Sequence, residues 1–274
     1  MLIQPQCLPC ILNMSLSAIQ RAVIRPDEIR EIFETVLEVP ALGGKCWDVT
    51  SAEVVEQVLI KIAAYSGNTD PFRGDKAKQN RRMSEIYPIL EQRIASSGNP
   101  LVAALKYAVL GNAIDAMVTA LPTDKIEEVL ADAGKMHFDQ GDLAHFIDKL
   151  QHSKTVLYLG DNAGEVVLDK LFIAALRREY NLKIFYVVRS RPALNDVTME
   201  DAAFTDMSDV AHVVDNGIDG PLPRTVMRRC SQKLQKLFDR SDLIISKGGG
   251  NFETLSEEDG LNSDITFGTI DGKI

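Results

Sequence analysis

Cysteine is scarce. Cys7, Cys10, Cys46 and Cys230 are the whole supply in 274 residues, too few and too scattered for a disulfide framework. Reduced thiols and a cytoplasmic address are therefore expected. Cys7-Leu-Pro-Cys10 has the spacing of half a zinc site, but no second CxxC follows, and His137, His145, His152 and His212 offer no completing pair. A helix start is the preferred reading of that motif, with a metal or redox role as its rival. Positive charge is also in deficit, 30 Lys and Arg against 39 Asp and Glu for a net −9. That balance removes the global basic footprint of a nucleic-acid or anionic-membrane binder, although a local basic pocket could still hold phosphate. No apolar run approaches the roughly 20 residues that span a bilayer. The start MLIQPQCLPC lacks the basic flank and apolar core of a signal peptide. What remains is ordinary: 45% hydrophobic and 25% charged residues, enough for a sizeable core in one large or two modest domains.

Two halves of the chain follow different rules. Up to about residue 150 the apolar spacing is helical, as in Ile11, Met14, Ala18 and Ile19, then Ile29, Ile32, Phe33 and Val36. Helix starts recur at Pro26-Asp27-Glu28, Ser51-Ala52-Glu53 and Pro122-Thr123-Asp124. Residues 1–150 are therefore expected to form a helical bundle of roughly six helices. From residue 151 to 274 short apolar runs, TVLYLG, KIFYVV, VAHVV and DLIIS, alternate with helical segments. This predicts an α/β domain with a mostly parallel sheet covered on both faces.

Ligands of open parallel sheets bind beyond the carboxyl ends of the strands, where loops converge and helix N-termini point inward. After TVLYLG come Asp161, Asn162, Gly164 and Glu165; after KIFYVV come Arg189, Ser190, Arg191, Asn195 and Asp196. Mg²⁺ and Mn²⁺ take oxygen ligands and use one or two carboxylates while keeping places for water and phosphate. Asp161, Asn162 and Asp196 supply such a set. The plainer reading, that Asp161 and Asn162 cap the next helix, accounts for one of the pair and leaves Asp196 unexplained. In SKGGGNFETL, Lys247 precedes Gly248, Gly249, Gly250 and Asn251, an anion-binding loop in form because glycines let amides approach a phosphate. It matches neither GxxxxGKS nor GxGxxG. A plain glycine turn is the alternative. In the helical half, SGNTDPFRGDKAKQN (Asn68, Asp70, Arg73, Lys76, Asn80) and VLGNAID (Asn112, Asp115) are polar clusters. They either close the site or bond helix to helix.

Taken together, CLPCIL, DPFRGDKAKQN, GNAID, LGDNAGEVVLD, LNDVTMEDA, VVDNGID and SKGGGNFETLSE resemble, in order, the metal-dependent damage-control phosphatase family. The family is also known as a domain of unknown function, and the resemblance is to its archaeal and bacterial branch with an N-terminal CxxC. The resemblance implies a helical N-terminal domain on a Rossmann-like three-layer α/β/α domain. It also implies a divalent cation, Mn²⁺, Co²⁺, Ni²⁺ or Mg²⁺, and hydrolysis of phosphomonoesters of small metabolites. On that basis Asp161, Asn162 and Asp196 would be metal ligands and, with Lys247, the catalytic set. Gly249, Gly250, Asn251, Glu165, Asn112 and Asp115 would face the substrate. Two departures stand out: Arg224 occupies a position the family gives to glycine, and the segment after Glu257 reads EDGLNSDITFGTIDGKI, in which ITFGTI offers a short strand. Whether Asp161 attacks phosphorus, acts as a base, or only binds metal is left open. An S-adenosylmethionine-dependent methyltransferase and a non-enzymatic phosphometabolite-binding protein are the competing readings. The expected partner is a small phosphorylated metabolite, with no nucleic acid and no membrane; a homo-oligomer is left open.

Overall fold

The computed structural model describes residues 2–118, 130, 132–255 and 265–268, without the side chains of 112–118, 132, 134 and 265–268. Among the described residues six α-helices come first: α1 (Cys7–Ala22), α2 (Pro26–Leu37), α3 (Ser51–Ser66), α4 (Arg73–Ala95), α5 (Pro100–Val118) and α6 (Gln140–His152). Their starts follow local chemistry. Pro26 opens α2 with Asp27 and Glu28 in its first turn, where acids meet the positive end of the helix dipole. Thr50 and Glu53 close a capping box on α3, satisfying two amides that would otherwise lack partners.

The alternating part then runs β1 (Thr155–Leu159), α7 (Glu165–Glu179), β2 (Lys183–Val188), α8 (Met199–Phe204), β3 (His212–Asp215), α9 (Gln232–Arg240), β4 (Leu243–Lys247), α10 (Gly249–Leu255) and β5 (Ile265–Gly268). The four apolar runs read from the sequence are β1 to β4, and ITFGTI supplies β5. All pairings are parallel, in the order β3-β2-β1-β4-β5. The order reverses at β1, which has β2 on one side and β4 on the other. The crevice at their carboxyl ends is therefore the topological switch point, where such sheets bind ligands.

Period-two alternation divides the strand residues between two cores. Val156, Tyr158, Ile184, Tyr186, Leu243 and Ile245 face a core shared with α7 and with Met83, Ile86 and Leu90 of α4. Leu157, Leu159, Val187 and Ile244 face the other, with Leu234 and Phe238 of α9. A third cluster joins α1, α2 and α3 through Ile19, Ile32, Val36 and Val58. Packing thus ties α4, α5 and α6 to one face of the sheet, although α4 and α5 lie wholly, and α6 mostly, before residue 150. Each large apolar side chain fully buried this way contributes about 1.5–3 kcal/mol. Because α7 is covered by both the sheet and α5, it is a rigid mount for the residues at its N-terminus.

Candidate functional site

The backbone makes the first decision. Gly160, Asp161 and Asn162 leave β1 and pair with the loop that follows β2. Asn162 forms an antiparallel bridge with Asp196, Val197 donates to the Asp161 carbonyl at 2.8 Å, and Ala163 donates to the Asn195 carbonyl at 2.9 Å. Two segments separated in sequence are thereby zipped together beyond the sheet. Capping does not account for them: Gly164 is the N-cap of α7, at φ +80, and no side chain caps that helix. Instead Asn162 Nδ2 donates to Asp161 Oδ2 at 3.1 Å and to Glu165 Oε1 at 2.8 Å.

Arg189, directly after β2, is the hub. It is buried, and its Nε donates to Asp196 Oδ2 at 2.6 Å, Nη1 to Thr225 Oγ1 at 3.2 Å and Nη2 to Asn251 Oδ1 at 3.4 Å. One guanidinium therefore fastens three loops. Asn251 is buried too, its Nδ2 donating to the carbonyls of Lys247 at 2.8 Å and Gly160 at 3.3 Å. Lys247 ends β4 with its ammonium between Glu165 Oε2 at 3.0 Å and Asp169 Oδ1 at 3.3 Å. Burial opposes its charged form, but Asp169 and Glu165 outweigh that and raise its pKa. Asp169 also accepts from Tyr158 at 2.6 Å and Tyr186 at 2.8 Å. Glu165 and Asp169 share a face of α7 at i and i+4, so one lysine reaches both.

Glycines mark the tight contacts. A Cβ on Gly248, at φ +83, would lie 2.8 Å from Asp161 Oδ1 and closer still to the rest of that carboxylate. Gly249 differs: a Cβ there would meet nothing within 4 Å, and neither backbone conformation nor packing calls for glycine. The backbone is bare on that side, open to close approach.

The helical half braces this arrangement. Asn80 of α4 accepts from the Gly164 amide at 2.7 Å and donates to Asp201 Oδ1 at 2.7 Å. Lys76 pairs with Asp70 at 2.9 Å and lies 3.7 Å from Asp201. DPFRGDKAKQN is thus the strut between α4, the Asp161 loop and the start of α8. The side chains of Asn112 and Asp115 lie outside the described residues. Gly111, beside them on α5, is described: a Cβ there would come 3.2 Å from Glu165 Oε2, so this helix runs against the site.

Electrostatics point to a cation. Asp161, Glu165, Asp169 and Asp196 face Lys247 and Arg189, an excess of two negative charges when all are ionised. Burial, then the charges of Glu165 and Asp196, push the Asp161 carboxyl well above the ordinary carboxylate range, against the pull of Arg189 and Lys247. The donor set suits an ion that keeps several waters. The bonds that Asp196 accepts from Arg189 and Arg224 both fall on Oδ2, and Asn162 turns its nitrogen toward the neighbouring acids, so Asp196 Oδ1 and the single amide oxygen of Asn162 are the oxygens a cation could meet. Among the described residues no three His, Cys, Asp or Glu side chains converge on one metal position. Two carboxylates and an amide are the small oxygen set expected for Mg²⁺ or Mn²⁺. Cys7 and Cys10 begin α1 as free thiols and gain no such partners either.

The model of the damage-control phosphatase ARMT1-like domain matches residues 3–267. The chain belongs to this family. An uncharacterized protein of Methanocaldococcus jannaschii is 30% identical, over 97% of this chain and 87% of that one. A damage-control phosphatase of Pyrococcus horikoshii is 28% identical, over 94% and 87%. Another, from Archaeoglobus fulgidus, is 26% identical, over 97% and 91%. A crystal structure of a family protein from P. horikoshii superposes with a TM-score of 0.86 at 25% identity, covering 97% of this chain and 90% of that one.

Against the pattern of the damage-control phosphatase family, the arginine at 224 acquires a physical account. Its backbone lies at φ +70, in the left-handed region that favours glycine, and its amide donates to Asp196 Oδ2 at 2.9 Å. The side chain runs across Gly250, where any Cβ would collide with it. It reaches Ser51 Oγ at 2.8 Å and pairs with Glu253. Sequence reading noted Arg189 but gave it no role, and it missed Asp169 with its two tyrosines. Tyr158 and Tyr186 are register partners on β1 and β2, so a tyrosine at the same place in two adjacent apolar runs was the available signal.

Proposed function

We propose that the chain is a metal-dependent phosphatase that hydrolyses phosphomonoesters of small, damaged metabolites such as sugar phosphates or cofactor phosphates. The carrying observation is the backbone pairing of the Asp161–Asn162 segment with the Asp196 loop at the switch point, inside a cluster that, among the described residues, sets four carboxyl groups facing two cationic side chains. Asp161, Asn162 and Asp196 would hold the cation, Mn²⁺, Co²⁺, Ni²⁺ or Mg²⁺. When bound, it supplies Lewis acidity toward a phosphoryl oxygen. The chain's own residues do the rest. Arg189 fixes Asp196 through one oxygen and leaves the other available. Gly248 lets the Asp161 carboxylate lie against the backbone, Gly249 leaves the loop open to the substrate, and Gly250, expected to face the substrate, instead makes room for the Arg224 side chain. Asn251 ties that loop to Gly160 and Arg189. Lys247 adds positive charge from behind Glu165, where it offsets negative charge on the transferred group. Among the described residues no helix is long and apolar enough to cross a membrane; the free thiols support a reducing compartment, and we assign the cytoplasm.

The test measures phosphate release from a panel of sugar and cofactor phosphates with each of the four cations, for wild type and Asp161→Ala. Metal-dependent release that the substitution abolishes is expected. Release indifferent to metal or to the substitution would sink the mechanism. Tight binding without turnover would identify a binding protein, and methyl transfer without phosphate release a methyltransferase.

A further inference from the structure

Glu165 was expected to touch substrate, yet both of its carboxylate oxygens are taken by protein donors, Asn162 Nδ2 on Oε1 and Lys247 Nζ on Oε2. Resting on the phosphatase reading above, we propose that Glu165, held by Lys247, is a positioning residue that locks the Asn162 amide with its oxygen toward the cation.

An asparagine side chain has two ends of nearly equal shape. One carries acceptor lone pairs, the other two N–H donors. Only the oxygen end can ligate a metal ion, so a site that relies on asparagine must specify which way the amide points. Here the specification comes chiefly from Glu165. An ionised carboxylate accepts and cannot donate, and Asn162 Nδ2 faces the Lys247-paired carboxylate of Glu165 at 2.8 Å, with Asp161 Oδ2 at 3.1 Å on its other side. Reversing the amide would set its oxygen against the Glu165 carboxylate, losing a charge-assisted bond and adding repulsion.

Glu165 can serve as the reference because it is buried and held on both oxygens. It sits at the first turn of α7, almost fully buried, with Lys247 Nζ 3.0 Å from its other oxygen. Gly111 of α5 lies on its flank, where a Cβ would come 3.3 Å from Cγ. Lys247 is in turn anchored by Asp169 at 3.3 Å, which two tyrosines hold. The order of restraint runs Tyr158 and Tyr186, Asp169, Lys247, Glu165, Asn162. The glycine of GNAID acquires a reason as well: a side chain at 111 would press on Glu165.

The experiment titrates metal-free protein with Mn²⁺ by calorimetry and thermal shift, with kcat and KM on a sugar phosphate measured at saturating Mn²⁺. Glu165→Gln can present its own N–H₂ to Asn162, so Mn²⁺ affinity is expected to fall about 10–100-fold, the usual loss when a residue orienting a metal ligand is replaced. KM at saturating Mn²⁺ is expected to stay at the wild-type value, because Glu165 does not meet substrate. Lys247→Met leaves Glu165 in place but unanchored and is expected to weaken Mn²⁺ binding in the same direction. In an Asn162→Asp background the lock has no nitrogen end to exclude, so adding Glu165→Gln should cost less than about threefold, the small coupling of independent sites. Wild type that binds Mn²⁺ while Glu165→Gln binds it equally well overturns the lock alone. Unchanged affinity with a raised KM returns Glu165 to the substrate. Wild type that binds no Mn²⁺, nor Co²⁺, Ni²⁺ or Mg²⁺ titrated in its place, overturns the phosphatase reading and the lock together.

Discussion

Replacing Gly248 by alanine separates the stability of the loop from its chemistry. The residue lies at φ +83, where a side chain costs about 1–2 kcal/mol. In a chain of this size that is a Tm lower by roughly 2–8 °C. The second consequence is geometric. The new Cβ would sit 2.8 Å from Asp161 Oδ1 and nearer to Oδ2, whereas ordinary contacts begin at 3.4 Å. The loop lies against Asp161, a residue zipped to Asp196 through Val197. Relief therefore comes mainly from rotation of the carboxylate, by roughly 1 Å, a displacement that costs on the order of 10²-fold in rate at a reacting centre. The assay is steady-state phosphate release at 25 °C, well below the midpoint, with thermal melts of the same preparations. Gly249→Ala is the matched control: its Cβ enters open space, so Tm should hold while KM rises. A Gly248→Ala protein with the lowered Tm but with kcat/KM within about threefold of wild type would refute the placement of Asp161 at the reacting centre.

Three further perturbations follow from the same geometry. Because the Asp161 carboxyl is held above its ordinary 3.8, the folded metal-free chain keeps a proton that the unfolded chain has released. Its contribution to stability is therefore lost as pH rises from the unfolded value toward the folded one; chemical denaturation of metal-free protein across pH 4–8 should show that slope, and Asp161→Asn should remove it and stabilise the neutral-pH form by about 1–2 kcal/mol. Arg224→Gly and Arg224→Ala both delete the contacts to Ser51 and Glu253, but only alanine retains the cost of φ +70, so urea unfolding should find the glycine variant more stable by about 1 kcal/mol. Asn80→Ala leaves the buried Gly164 amide without its acceptor and removes a donor from Asp201, which should cost about 2–3 kcal/mol in the same assay.

Much of this protein is readable without coordinates because its signals are local. Alternating apolar runs specify strands by their period of two, and helical runs on both sides make a parallel sheet the economical arrangement. The strand ends then single out Asp161, Asn162, Asp196 and Lys247, since ligands gather at that edge. What a linear reading cannot supply is partnership between residues far apart in the chain. Asp161 is a member of a carboxylate cluster only because the loop after β2 folds back and bridges Asn162 to Asp196. Arg189 is a hub only because three loops converge on one buried guanidinium. Glu165 reads as one more polar residue facing the ligand until Lys247 and Asn162 are seen to occupy both of its oxygens. Burial makes each of these pairings decisive, because a charge removed from water must find its counterpart. Residue types and spacing determined the fold and the polar residues gathered at the strand ends; tertiary packing decided which of those residues bond to one another and which hold another in place.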